Sequence, residues 1–318
     1  MAQDNRAPEH PARPELDAPP EQDASPAQTA PRSAAAENRF GIVCMSAAMA
    51  LFIANDALVK YASQTMPAAQ LICVRGLLSI GLVLAVAHAM GVLPRLRTIT
   101  GGRVVVRALV DATATMLYLT SLFHLPIANA TAINLASPLF MILYAVLFMG
   151  DRVGLARWLA IMAGFGGVLL VIQPRAEGFN LWALMCLFGT LFHAARDLIT
   201  RRIGSEVPSI LITLSTSIAV TLLSGAVSLI EGWRGFGWFE LALLAGASVF
   251  LSCAYFLIIT SMRHGEMSLV APFRYSGLLF ALLLGYAVWG DVPNLLAWSG
   301  IALLIASGLY LLAGERRR

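Results

Sequence analysis

Long apolar runs separated by short polar connections dominate this sequence. Only 13% of the residues are charged, whereas soluble domains carry about 25%. A helix rises 1.5 Å per residue, so about 20 apolar residues cross a hydrocarbon layer of about 30 Å. Runs of that length predict an all-α membrane protein with ten transmembrane helices, at approximately residues 40–61, 68–90, 104–123, 127–149, 155–173, 180–200, 208–230, 238–261, 267–289 and 294–313.

Residues 1–38 differ from the rest of the chain. They contain seven of the fifteen prolines and precede the first aromatic residue, Phe40. Such a segment buries too little apolar surface to offset the entropy lost on ordering. We therefore expect a disordered cytoplasmic tail without a cleavable signal peptide.

The distribution of positive charge predicts the orientation of the spans, because cytoplasmic loops are rich in Lys and Arg. An N-terminus in the cytoplasm places only Arg175, Arg234 and Lys60 toward the opposite side. Both termini are therefore predicted to be cytoplasmic, in a multi-pass protein of the bacterial inner (plasma) membrane. The arginines that this orientation places in the cytoplasm are Arg95, Arg97, Arg103, Arg152, Arg157, Arg201, Arg202, Arg263 and Arg316 to Arg318.

The sequence repeats itself at an offset of 140 residues without a gap. Leu139-Phe140 aligns with Leu279-Phe280, and Gly150-Asp151 aligns with Gly290-Asp291. The match divides the spans into two five-helix halves, which we predict at residues 39–174 and 178–314. Because five is an odd number, the second half must enter the membrane from the opposite side.

Loop charges agree with this inversion. Arg95 and Arg103 align with Gly235 and Leu243, whereas Tyr61 aligns with Arg201. Inverted repeats are a recurring architecture of secondary transporters, whose substrate site lies near the midplane between the halves. The pattern favours a transporter, although some channels and scaffolds use the same packing.

Polar side chains inside the spans, most of them ionisable, are the candidate site residues. An ionisable side chain costs at least about 2.5–3.5 kcal/mol at the helix centre, so it needs a partner or a water-filled cavity. We expect a substrate cavity lined by Asp56, Arg75, Asp111, Asn134, His193, Arg196, Arg274 and Tyr275. The repeat aligns Asp56 with Arg196, which suggests the hypothesis that these two charges meet. The alternative is that Asp56–Lys60 and Arg196–Asp197 are structural pairs or extend toward an interface.

Other residues in the spans carry weaker expectations. His193 is either a proton relay or a packing residue. Pro138 and Pro272 are predicted to interrupt their spans. Small residues of the fifth and tenth spans, such as Gly167 and Gly300, predict scaffold or dimer contacts. The four cysteines lie inside apolar runs, and we expect neither a disulfide nor a metal site from them.

Sequence motifs of several enzyme classes are absent. The chain has no G-x-x-x-x-G-K-[ST] phosphate loop, no H-E-x-x-H zinc motif and no G-x-S-x-G nucleophile turn. No cofactor, metal or nucleic acid is therefore expected. The expected partners are the lipid bilayer, a small-molecule substrate, protons as a coupling ion and a second copy of the chain.

Two stretches resemble the ten-helix drug/metabolite transporter superfamily, in its form with two EamA-type repeats. They are LPIANATAINLASPLFMILYAVLFMGD at 125–151 and APFRYSGLLFALLLGYAVWGD at 271–291. NDALVKYA at 55–62 and RDLITRRI at 196–203 are similar to a subgroup that includes importers of S-adenosylmethionine and riboflavin. The family's usual Glu after the Gly that ends the fourth and ninth spans is replaced here by Asp151 and Asp291.

The resemblance implies a central cavity between the halves that opens to one side at a time. Matched positions carry that cavity onto Asp56, Arg75, Arg196, Arg274 and Tyr275. The expected function is alternating-access transport of a small metabolite similar to riboflavin, S-adenosylmethionine or an amino-acid derivative. The alternatives are export of amino acids, their derivatives or a metallophore, a membrane-embedded enzyme, and a sensor or scaffold.

Overall fold

The computed structural model describes residues 34–149, 154–173, 180–200, 202–204, 206–264 and 266–315. Every regular element in these ranges is helical. The α-helices are α1 Ala34–Ala62, α2 Ala68–Ala89, α3 Gly102–His124, α4 Ile127–Asn134, α5 Ser137–Met149, α6 Leu155–Ile172, α7 Leu181–Thr200, α8 Ser209–Glu231, α9 Trp238–His264, α10 Met267–Val270, α11 Ser276–Trp289 and α12 Leu295–Glu315. Two 3₁₀ helices, Leu93–Thr100 and Ala271–Tyr275, complete the set.

These helices form ten membrane crossings, as predicted. Among the described residues, nine stretches are long and apolar enough to span a bilayer. Ile127–Phe148 counts as one crossing made of α4 and α5, and Ala271–Trp289 joins the second 3₁₀ helix to α11. The tenth crossing is α12, whose apolar part is the shorter stretch Leu295–Leu311.

Helix α1 begins earlier than predicted. It starts at Ala34, so it takes in the last residues of the predicted tail 1–38. The run Ala34 to Ala36 has the highest helix propensity, and Glu37 lies in the first turn, where a negative charge is stabilised by the helix dipole. Residues 1–33 lie outside the described part of the chain.

Prolines set several helix boundaries. Pro67, Pro126 and Pro208 stand directly before α2, α4 and α8. Proline is tolerated there because the first backbone N–H groups of a helix have no intrahelical acceptor. Each connection is therefore short and turns sharply into the next crossing.

The fourth and ninth crossings are both interrupted, which confirms the prediction from Pro138 and Pro272. In the fourth, α4 ends at Asn134 and α5 resumes at Ser137. In the ninth, the 3₁₀ helix Ala271–Tyr275 precedes α11. The two breaks fall at positions that the repeat aligns, because Asn134 corresponds to Arg274.

The principal helix contacts join the two halves. Helix α1 packs on α9 and α3 packs on α7, while α2 pairs with α8 and α6 with α12. One apolar cluster contains Leu71 and Ile133 from the first half together with Leu278 from the second. This cluster thus contains residues of both halves, and the boundaries 39–174 and 178–314 remain a prediction about repeats.

The predicted small-residue contacts lie between α6 and α12. A Cβ added to Gly167 would lie 2.7 Å from the Gly300 carbonyl oxygen, and one added to Gly300 would lie 2.5 Å from the Gly167 oxygen. Two helix backbones touch here because neither residue has a side chain. These glycines form scaffold contacts inside the chain.

Candidate substrate-binding site

We call the end of the bundle where α1 begins the inner face, and the end where α1 finishes the outer face. The 3₁₀ helix with Arg95 and Arg97 lies between α2 and α3 at the inner face. Arg103 of α3 also lies there and donates to the carbonyl oxygen of Arg202, 3.2 Å away. The described arginines thus concentrate at the face that the sequence predicts to be cytoplasmic.

A buried polar network lies between α1, α2 and α3, nearer the outer face than the inner one. The Asp56 carboxylate accepts hydrogen bonds from Asn55 Nδ2 and from the Tyr118 hydroxyl, both at 2.9 Å. Arg75 Nη1 donates to Asn55 Oδ1 at 3.3 Å. We call Asn55, Asp56, Arg75 and Tyr118 the central network; each is at most 9% exposed.

The central network is not saturated with hydrogen bonds. Arg75 Nε is buried and has no hydrogen-bond partner among the described residues. Asn55 stands between Arg75 and Asp56, because it accepts from the guanidinium and donates to the carboxylate. A buried guanidinium N–H without an acceptor is costly, so a ligand that supplied an acceptor would remove this cost.

Aromatic side chains border the network. Phe52 of α1 and Tyr255 of α9 meet edge to face with ring centroids 5.2 Å apart. Tyr255 keeps 41% of its surface exposed, although it is close enough to Arg75 and Arg196 to interact with both charges. Part of the Tyr255 side chain is therefore accessible, and an accessible aromatic ring can stack against a planar ligand.

His193 and Asn134 lie on the other side of Tyr118. The His193 ring is 5.8 Å from the Tyr118 ring, and its Nδ1 is 3.1 Å from Asn134 Oδ1. Asn134 is the last residue of α4, so the break in the fourth crossing places its side chain beside α7. These two predicted site residues thus lie at the edge of the central network.

A second polar network joins α3 and α7 nearer the inner face. Asp111 binds Arg196 at 2.9 Å and Arg107 at 3.2 Å, and Arg196 binds Asp197 at 2.8 Å. We call Arg107, Asp111, Arg196 and Asp197 the paired-charge network. Arg107 also donates to Thr200 and Thr216. Two positive and two negative charges cancel within this network.

The hypothesis that Asp56 meets Arg196 is wrong. Arg196 binds Asp111 and Asp197 instead. Helix α7, which carries Arg196, packs against α3, whereas α1 packs against α9. The alternative pairing of Arg196 with Asp197 is present, and Lys60 donates to the carbonyl oxygen of Leu125 rather than binding Asp56.

Arg274 and Tyr275 lie apart from both networks. Arg274 is exposed on the 3₁₀ helix of the ninth crossing. The Tyr275 hydroxyl packs against Gly308 of α12, where the missing side chain leaves room for it. The structure thus brings Asp56, Arg75, Asn134 and His193 together, and it places Asp111 and Arg196 in the neighbouring network. Arg274 and Tyr275 belong to neither group.

Sequence analysis did not single out Tyr118, Phe52 or Tyr255. Two of them stand at helical spacing from a predicted charge, since Phe52 precedes Asp56 by four residues and Tyr118 follows Asp111 by seven. Residues at these separations share a helix face. That signal was available for both, whereas Tyr255 has no such neighbour on its helix.

Comparison with protein families gives two matches along the chain. The model described as the EamA-like transporter family matches residues 39–173 and matches again at residues 180–313. A crystal structure of another protein superposes with a TM-score of 0.62 at 17% identity, over 89% of this chain and 98% of that one. The structural match concerns the fold alone.

Several curated relatives are transporters. A riboflavin transporter from Rhizobium johnstonii is 31% identical over 71% of this chain and 75% of its own length. The pseudopaline exporter CntI of Pseudomonas aeruginosa is 24% identical over 85% of this chain and 95% of its own length. An S-adenosylmethionine uptake transporter from Rickettsia bellii is 26% identical over 60% of this chain and 66% of its own length.

Proposed function

We propose that this chain imports riboflavin or a similar heteroaromatic metabolite. The chain belongs to the EamA-like transporter family and is a multi-pass inner-membrane protein that carries a small molecule. The proposal concerns the substrate and the direction of transport. A riboflavin transporter at 31% identity supports the choice of substrate.

One observation carries the proposal: an unpaired donor lies beside an accessible aromatic ring. Arg75 Nε has no partner in the described structure, and Tyr255, which interacts with the charge of Arg75, is 41% exposed. A flavin-like ring is planar and carries carbonyl oxygens along one edge, so it can stack on Tyr255 while it accepts from Arg75. Asp56 then holds Asn55 and Tyr118 in place on the opposite side.

Alternating access is supported by a contact at the outer face. Lys60, at the end of α1, donates to the Leu125 carbonyl oxygen and lies 5.3 Å from the centre of the Trp289 ring. Thr200, which the repeat aligns with Lys60, instead donates to the Arg196 carbonyl oxygen within its own helix. We assign Lys60 to closure of the outer face, because the outer face must be closed while the substrate is released inward.

Proton coupling is a further part of the proposal. His193 lies between Tyr118 and Asn134, and the Tyr118 hydroxyl donates to the buried carboxylate of Asp56. Histidine changes its charge near neutral pH more readily than other side chains. A proton that moves with the substrate has a titratable pair available here.

The alternatives differ in what they require. Export, as in the name of the pseudopaline exporter, requires release of the substrate at the outer face. An enzyme requires reactive groups gathered at one interface, whereas Asp56, Arg75, Asp111 and Arg196 are divided between two networks within the bundle. We therefore propose that the chain is not an enzyme.

The test is uptake of labelled riboflavin by bacteria that lack their own importer, with and without expression of this chain. Expression is expected to accelerate accumulation, and an uncoupler is expected to remove the acceleration if protons drive it. S-adenosylmethionine and an amino acid serve as comparison solutes. Faster loss from preloaded cells would overturn import, and equal rates with and without expression would overturn the substrate.

A further inference from the structure

The outer face contains a cavity of about 380 Å³ that is separate from the central network. It lies where α3 meets α4, α6 approaches α7, and α11 meets α12, so both halves contribute to its wall. We call it the outer cavity. The polar side chains that line it are His124, Asn129, Gln173, Asn180, Asp291 and Asn294.

The described wall is rich in carboxamides and contains one carboxylate. Neither Lys nor Arg is among the described residues that line it. Two of the carboxamides, Gln173 and Asn294, bind each other reciprocally at 2.5 and 2.8 Å. Gln173 adopts a left-handed backbone conformation with φ of 48°, which is uncommon for a residue other than glycine. The pair between Gln173 and Asn294 thus joins the two halves at this wall, and Gln173 adopts a strained backbone conformation there.

Asn129 supplies the unpaired group of the cavity. Its Oδ1 is buried and accepts no hydrogen bond from the described residues. Asn180 and Asn294, by contrast, use their side-chain oxygens to accept from backbone N–H groups at the starts of α7 and α12. Because a buried acceptor without a donor is destabilising, Asn129 requires a hydroxyl, N–H or water donor inside the cavity.

Asp291 adds a negative charge to the same wall. It interacts electrostatically with Lys60. Lys60 donates a hydrogen bond to the carbonyl oxygen of Leu125, which lines the cavity. A carboxylate and a carboxamide oxygen favour ligands that donate hydrogen bonds and disfavour ligands that carry a phosphate or carboxylate. The outer cavity is therefore complementary to the uncharged, hydroxyl-bearing part of a solute.

We propose that the outer cavity is a second substrate-binding site, in which Asn129 and Asp291 accept hydrogen bonds from hydroxyl groups of a neutral solute before it reaches the central network. The proposal rests on the proposed function, because riboflavin carries a chain of hydroxyl groups and no charge. Its phosphorylated form, flavin mononucleotide, is expected to be excluded by Asp291.

The test measures riboflavin binding to the purified full-length protein by quenching of riboflavin fluorescence. The Asp56→Asn variant weakens the central site and is expected to retain binding in the outer cavity. Adding Asn129→Leu to it is expected to weaken that remaining binding about tenfold or more, the loss of one hydrogen bond from a buried group. Adding Gln64→Leu, which removes an exposed carboxamide of the outer face outside this cavity, is the matched control and is expected to change nothing.

Asn129→Leu removes no described hydrogen bond to Oδ1. The melting temperature of each variant checks the fold. In the Asp56→Asn variant, flavin mononucleotide is expected to displace riboflavin only after Asp291→Asn is added. Equal binding by the two double variants, or no binding by Asp56→Asn, would overturn the outer site. Failure of the proposed function has a separate signature, which is the absence of riboflavin uptake by the wild-type chain.

Discussion

The central network and the paired-charge network lie in the same bundle and contain the same kinds of residues, but they differ in how fully their groups are paired. In the paired-charge network Asp111 binds both Arg107 and Arg196. In the central network Arg75 keeps a buried N–H without a partner in the described structure. A saturated network holds helices together, whereas an unsaturated one has capacity left for a ligand.

The largest effect is expected on stability, when the paired-charge network is broken. Asp111→Ala leaves the positive charges of Arg107 and Arg196 without their shared partner, which costs about 3–5 kcal/mol for a buried pair. The melting temperature and the membrane abundance of the variant are therefore expected to fall. The double variant Asp111→Asn with Arg107→Gln restores charge balance and is expected to recover part of the loss. An unchanged melting temperature of Asp111→Ala would contradict a structural role of this network.

The next largest effect is expected on transport, without a matching loss of stability. Asp56→Asn removes the charge that holds Asn55 and Tyr118, and hydrogen bonds to charged groups contribute about 1.5–3 kcal/mol. Riboflavin uptake per molecule is expected to fall about 10- to 100-fold while abundance stays near the wild-type value. The matched control is Asp197→Asn in the paired-charge network, where Arg196 keeps Asp111 as its partner. An equal loss of transport in both variants would contradict the distinction between the networks.

A smaller effect is expected at the aromatic border of the central network. Tyr255→Ala removes the partly exposed ring, and aromatic pairs contribute about 0.5–1.5 kcal/mol beyond the area they bury. The KM for uptake is expected to rise about two- to tenfold. Tyr255→Phe keeps the ring and is expected to transport normally. A loss in both variants would assign the effect to the hydroxyl group instead.

The smallest effect is expected outside both networks. The repeat and the family resemblance place Arg274 in the cavity, whereas the structure places it exposed on a 3₁₀ helix. Arg274→Ala is therefore expected to change uptake by less than about twofold, as is usual for surface substitutions. Initial rates of uptake, normalised to abundance, give the comparison. A loss as large as that of Asp56→Asn would return Arg274 to the site.

The crossings, the inverted halves and the interrupted spans could be predicted from the sequence because each has a local signal. Apolar length defines the crossings, Pro138 and Pro272 mark the interruptions, and the ungapped offset reveals the repeat. The site was predicted only in part. An offset shows that Asp56 and Arg196 are equivalent, but only helix packing shows that Arg196 contacts Asp111.

The aromatic residues escaped prediction for a related reason. Tyr118 and Tyr255 stand in apolar spans where aromatic residues are common. Their roles depend on which face of a helix meets the network, and that depends on the pairing of α3 with α7 and of α1 with α9. No feature of the local sequence determines those pairings.

The most direct test of the central network is the dissociation constant of riboflavin for the purified wild-type protein and for Arg75→Gln. The variant lacks the guanidinium whose Nε has no described partner. Binding by the wild-type protein and an affinity at least about tenfold weaker in Arg75→Gln is the predicted result, as expected for loss of a charged hydrogen bond. Equal dissociation constants for the two proteins would contradict the assignment of this network as the substrate site.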